Sequence, residues 1–242
     1  MLLLAIGALA HASGMEHQLT WDIQLDGTTV GSRTLTVKYL AAEEGTMRRI
    51  LESYAEFDGE PAGQDVSFAH RVTGHAGKLP SSFHSVVSDN GTARDVQARV
   101  LEDAWRVSVS EEGFAKTFDL APERIDLSTV DLLDPATTVP ISRYESARVL
   151  SAETAEIWEG EVTRMGPSEL VISGEKVHCE EYMWEPPQGR ASFYYTADGF
   201  LVKYEMKLAG VDVMAILKEP PPEGVDDAPV PIAPGEIREV PL

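Results

Sequence analysis

The chain is short of cations, cysteine and aromatic residues, and each shortage narrows what it can be. Twenty lysines and arginines stand against 40 aspartates and glutamates in 242 residues, a formal net charge of −20. That balance argues against sequence-independent binding to nucleic acid or to anionic lipid, because both are driven by clustered cations. The one cysteine, Cys179, has no intrachain disulfide partner. No stretch reaches the roughly 18 apolar residues of a membrane-spanning helix. No G-x-S-x-G elbow, Walker loop, G-x-G-x-x-G after a strand, H-E-x-x-H or EF-hand loop occurs, which disfavours the common hydrolases and nucleotide enzymes.

What is present begins with an apolar run, Leu2 to Ala10, of the length of a signal-peptide core. Ala8-Leu9-Ala10 and Ala10-His11-Ala12 offer small-residue cleavage patterns, although no positive residue precedes the run. Residues 1–14 are therefore expected to be a signal peptide and the protein to be periplasmic or secreted. From Glu219 the composition turns to proline and acid, with Pro220-Pro221-Pro222 followed by four further prolines. Residues 219–242 are expected to form a disordered acidic tail, leaving residues 15–218 as a single β-rich domain.

Within that domain apolar residues recur with period two. Trp21, Ile23 and Leu25 alternate with polar neighbours, as do Leu35, Val37 and Tyr39, then Trp105, Val107 and Val109, and later Phe200, Val202, Tyr204, Met206 and Leu208. Such alternation marks strands with one face in a core. Turn chemistry separates them at Asp26-Gly27, Asp58-Gly59, Asn90-Gly91, Asp198-Gly199 and Ala209-Gly210. Between Asp119 and Ser151 the pattern breaks, with Pro122, Pro135 and Pro140 interrupting it. This segment is expected to be a crossover carrying one or two short helices, one of them within Pro140 to Val149. The fold class that follows is all-β: a strongly curved antiparallel sheet or β-roll.

The order of four motifs resembles that of uncharacterised exported bacterial domains of unknown function. They are Trp21-Asp22-Ile23-Gln24-Leu25-Asp26-Gly27-Thr28-Thr29-Val30-Gly31, Ser88-Asp89-Asn90-Gly91, Asp131-Leu132-Leu133-Asp134-Pro135, and Tyr194-Tyr195-Thr196-Ala197-Asp198-Gly199-Phe200-Leu201-Val202. Ala209-Gly210-Val211 and a closing apolar strand follow the last, and the resemblance covers about Leu19 to Leu217. It implies a spiral β-roll or curved antiparallel sheet and export; no activity comes with it.

The residues that could carry chemistry are scattered. Cys179 shares a strand face with Val177, Glu181 and Met183 and reads as a small buried residue, with His178 on the other face. His70 and His75 fall on opposite faces of a strand, Gly74 and Gly77 suggest a loop, and His70, His75 and His84 read as dispersed surface histidines rather than zinc ligands. Glu43-Glu44, Glu111-Glu112 and Asp226-Asp227 read as solvated charge. No catalytic, metal or cofactor-binding set is expected. Aromatic residues concentrate late in the chain, and Tyr182, Trp184, Trp158 and Tyr194 are the candidates for an apolar groove on the concave face of the sheet, with a packed core as the other reading. The expected function is a non-enzymatic envelope protein that binds an apolar ligand or an exported protein partner through that face. The alternative is a structural or assembly component acting through its surface and tail.

Overall fold

The computed structural model describes residues 16–41, 47–60, 66–76, 82–135, 139–208 and 211–222. The expected signal peptide, the tail beyond Pro222 and the Ala209-Gly210 turn lie outside the described residues. Fifteen strands form one sheet: β1 (Glu16–Leu25), β2 (Thr28–Ala41), β3 (Met47–Gly59), β4 (Val66–Ala76), β5 (Ser82–Asp89), β6 (Thr92–Val100), β7 (Trp105–Glu111), β8 (Phe114–Leu120), β9 (Leu127–Ser128), β10 (Ser146–Leu150), β11 (Ile157–Ile172), β12 (Glu175–Glu185), β13 (Ala191–Tyr195), β14 (Leu201–Leu208) and β15 (Val211–Leu217).

The spatial order runs β8 through β1, then β15 back through β9, and every pair is antiparallel except β9 with β10. Consecutive strands are therefore neighbours throughout, and β15 closes onto β1 with Leu217 opposite Trp21. The one break in this circuit falls between β8 and β9, the two edges of the sheet. Residues 121–126 join those edges, and a connection of that length spans at most about 25 Å. A flat sheet of this size would hold its edges about 65–70 Å apart. Chain connectivity alone thus requires the sheet to roll up until its edges nearly meet.

Period-two burial follows the sequence pattern. Trp21, Ile23, Leu25, Leu35, Val37, Trp105 and Val107 face a common interior and are almost wholly buried. Tight turns occur where expected at Asp26-Gly27 and Asn90-Gly91, whose residues all have positive φ, the backbone that a two-residue hairpin requires. Glu112-Gly113 and Ser173-Gly174 adopt the same conformation. Asp58-Gly59 does not turn; both residues remain paired in β3, opposite Ser67 and Val66.

The interior of the roll is filled by the connector between β8 and β11. Ile125, Leu127, Val130, Leu132, Leu133, Ile141, Ala147, Val149 and Leu150 are buried in the same core as both walls. On one side Val130 lies so close to Gly74 that a Cβ there would come within 2.7 Å of its Cγ1. Gly74 is thus a strand residue that admits the connector, not part of a loop. On the other side the Tyr195 hydroxyl donates to the Leu132 carbonyl at 2.9 Å, and the Trp184 indole N–H donates to the Ala147 carbonyl at 3.3 Å. Arg49 of β3 forks onto the buried Asp134 at 2.8–3.1 Å.

The short helix expected within Pro140 to Val149 is confined to its first residues. Only Pro140–Arg143 makes a single 3-10 turn, as do Pro122–Arg124 and Asp131–Leu133. Tyr144 is extended, and Ser146–Leu150 becomes β10 because Ala147 and Val149 alternate into the core. The long β11–β12 hairpin shifts register near Gly166. Beyond that bulge Ile172, Val177 and Cys179 are buried, and the Ser173 hydroxyl at the tip donates to the Lys218 carbonyl.

Candidate functional site

Two places gather polar side chains, one inside the roll and one outside, and they use opposite faces of the same strands. The inside group follows from register. Arg33 stands opposite Ala55, Ala55 opposite His70, His70 opposite Val87, Val87 opposite Arg94, and Arg94 opposite Glu111. Side chains directly opposed across strands share a face, so Arg33, His70 and Arg94 form one row across the inner wall. Glu153, from the turn between β10 and β11, meets it from the other side.

His70 is 3% exposed, so the expectation of a surface histidine fails at this position. The parity it shares with Val72 puts it inside, and Ser85 shares its parity with Phe83 and Val87 in the same way. Nε2 of His70 lies 2.8 Å from the Ser85 hydroxyl oxygen, and Nδ1 lies 3.4 Å from Oε1 of Glu153. Oε2 of Glu153 accepts from the hydroxyls of Thr129 and Ser151, both at 3.1 Å. The Glu153 carbonyl accepts from Arg94, which also forks onto Glu111. Burial pushes the His70 imidazole below its ordinary range; Arg33 adds to this and Glu153 opposes it. For Glu153 burial raises the carboxyl, but His70, Arg33 and local hydrogen bonds outweigh it and hold the group low.

A serine, a histidine and a carboxylate in this order form the constellation of a nucleophilic triad. Ser85 has no solvent-exposed surface, however, and it lines neither of two depressions on β2 to β7. A nucleophile needs space for a substrate carbonyl beside it. The geometry instead pins the 151–155 turn to the inner wall of β4 and β5.

Three of the four aromatic candidates share the interior face and Tyr194 does not. Tyr182 and Trp184 face the interior and are 6% and 3% exposed; the half-buried Trp158 lies against Trp184 with ring centroids 6.4 Å apart. Tyr194 projects from the opposite face of β13, under the Lys203 ammonium at 4.9 Å, with its hydroxyl donating to Glu205 at 3.2 Å. Burial raises the Cys179 thiol above its ordinary range, which disfavours the thiolate. Among the described residues no group of three or more histidine, cysteine or acidic side chains is placed to hold a metal ion.

Outside, the wet faces of β4 to β7 form two adjacent polar rows. Thr73 opposes His84, His84 opposes Gln97, and Gln97 opposes Ser108. In the next row His75 opposes Ser82, and Arg99 opposes Arg106 directly. These rows line an open depression of about 490 Å³.

Comparison with known proteins places the fold. A crystal structure of a beta-barrel-like protein of the domain of unknown function DUF1849 from Brucella abortus is similar, with a TM-score of 0.58 at 10% identity over 84% of this chain and 96% of that one. A protein with a YMCC-like fold from Bacteroides fragilis aligns over 84% of this chain and 94% of its own at 11% identity, with a TM-score of 0.37. No curated protein matches. The residues that build the roll, from Trp21 on β1 to Lys218 after β15, are those matched by one family model, and the chain belongs to that family, the domain of unknown function DUF6134, over residues 21–218.

Proposed function

We propose that the protein is an exported, non-enzymatic binding or assembly component that meets its partner with the outside of the roll. The observation that supports this reading is the filled interior: the connector residues Val130, Leu132, Leu133 and Ile141 occupy the space a concave-face ligand would need. An apolar groove at Tyr182, Trp184, Trp158 and Tyr194 draws less support, because three of the four are buried and they lie on two faces. Export is supported by the apolar Leu2–Ala10 segment and its small-residue cleavage pattern.

A photoreactive residue placed at Gln97 or Thr117, both exposed on the outer face, tests the proposal in the native envelope. Crosslinks to a discrete envelope component from these positions, together with N-terminal sequencing that begins after Ala10, are the expected results. Lipid co-purifying with the native protein and displaced by a fluorescent fatty acid, without outer-face crosslinks, would overturn it in favour of the concave face.

A further inference from the structure

We infer that the depression on the outer face of β4 to β7 is a binding site for an anionic saccharide, an oxyanion carried on a hydroxyl-rich skeleton. The inference rests on the reading that the outer surface is the working one and names its ligand.

The first observation is charge. In a chain with twice as many acids as bases, the residues lining this depression include Arg99, Arg106, His75 and His84 and no carboxylate. Arg106 is held by Asp119 at 2.8 Å and His84 by Asp95 at 2.6 Å, so each has a partner beyond the lining. Arg99 is exposed and makes no ion pair with a described residue, and the guanidinium directly across the strand pair is that of Arg106. Asp119 already forks onto Arg106 through Nε and a terminal nitrogen, so the guanidinium that offers an oxyanion paired N–H donors is that of Arg99.

The second observation is the company these cations keep. Thr73, Gln97 and Ser108 present two hydroxyls and an amide in the adjoining row. The Gln97 amide N–H donates to Asp95 at 3.2 Å and the Ser108 hydroxyl pairs with that of Thr117 at 3.0 Å, which fixes both groups and leaves the Gln97 carbonyl and a lone pair of Ser108 for a ligand. That mixture suits the hydroxyls of a sugar better than the apolar side chains of a peptide. At about 490 Å³ the depression lies within the roughly 300–1,000 Å³ of small-molecule sites and has room for one or two sugar rings. The anion could be a carboxylate, as in a uronic acid, or a phosphate, as in a sugar phosphate.

Isothermal titration of the full chain at low salt distinguishes these sources. The probes are trigalacturonate, glucose 6-phosphate, inorganic phosphate, neutral maltotriose and a polyglutamate peptide. Trigalacturonate or glucose 6-phosphate should bind with a Kd of about 1 mM or tighter, and whichever binds identifies the anion. Maltotriose, inorganic phosphate and polyglutamate should bind at least tenfold more weakly. Arg99→Gln should weaken the bound saccharide about tenfold or more, while Arg71→Gln, one row away on the same face, should leave it unchanged. Gln97→Ala provides a second variant, expected to weaken the saccharide and leave inorganic phosphate as it was, and thermal unfolding checks that each variant folds. No binding of either anionic saccharide up to about 10 mM, equal binding of maltotriose, inorganic phosphate or polyglutamate, or an Arg99→Gln variant that binds like the parent would each overturn the inference. A protein that fails this titration yet crosslinks through Gln97 loses the saccharide and keeps the outer-surface reading.

Discussion

Strands β8 and β13 belong to one sheet, yet none of the seven residues of β8 is buried and all five of β13 are. The difference is not one of local propensity, since both segments carry aromatic residues. β13 is hydrogen-bonded on both sides, by β12 and β14. Its inner side meets the connector through Tyr195, and on its outer side Tyr194 lies under the Lys203 ammonium and bonds Glu205. Among the described residues β8 pairs with β7 alone and forms an edge of the sheet. In a rolled meander, burial is therefore assigned by what lies above, below and beside a strand. Substitutions on the β13 side should be costly and those on the β8 side nearly silent.

The largest expected effect is Trp184→Ala, on β12 beside β13. Its indole packs on Trp158 and donates to Ala147, so truncation should cost about 3–5 kcal/mol, the range for a buried aromatic, as read by chemical denaturation. A cost below about 1 kcal/mol would mean that the ring lines an open groove, and the contrast with β8 would weaken. Asp134→Ala should follow closely. It leaves the mostly buried Arg49 guanidinium without its fork, and breaking a buried pair from one side costs about 3 kcal/mol. Arg49→Leu together with Asp134→Leu should recover much of that loss, because no orphaned charge remains.

How far the fold was legible in the sequence follows from the same contrast. Alternation at Trp21, Leu35 and Trp105 marks strands with one wet face, and Asn90-Gly91 names its own turn. Those signals are local. The filling of the roll is not: Asp131-Leu132-Leu133 reads as a crossover, but nothing in it says that it enters the interior and meets Gly74 and Tyr195. His70 lies inside rather than at the surface for a related reason. Its parity with Val72 pointed inward, but its partners Ser85 and Glu153 are supplied by other strands and turns. Tyr182 and Tyr194 lie on opposite faces of the sheet, a separation that even and odd numbering on two different strands does not display.

The inner polar row adds a dependence on pH that β8 should lack. The folded protein holds His70 below its ordinary range through burial, so below about pH 6.5 the unfolded chain takes up a proton that the folded chain refuses. Stability should be complete above that value and fall as acid is added. Glu153, also held low, extends the loss below about pH 4.5. Urea midpoints measured from pH 8 to pH 4 should show this decline, and His70→Gln should remove its upper limb. An unchanged profile in that variant would mean that another group carries the acid response.

The smallest effect is expected at Phe114, at the start of β8. Its ring is 70% exposed on an edge of the sheet and stands opposite Glu111 rather than an apolar neighbour. Phe114→Ser therefore removes little buried surface and opens no cavity, and stability should change by no more than about 0.5 kcal/mol. The same side chain on an edge strand is, however, what strand-to-strand association uses, so the variant should reduce concentration-dependent association while leaving the denaturation midpoint in place. Sedimentation velocity beside urea denaturation reads both. A loss of several kcal/mol would show that the β8 edge is covered after all, and the comparison between the two strands would have to be redrawn.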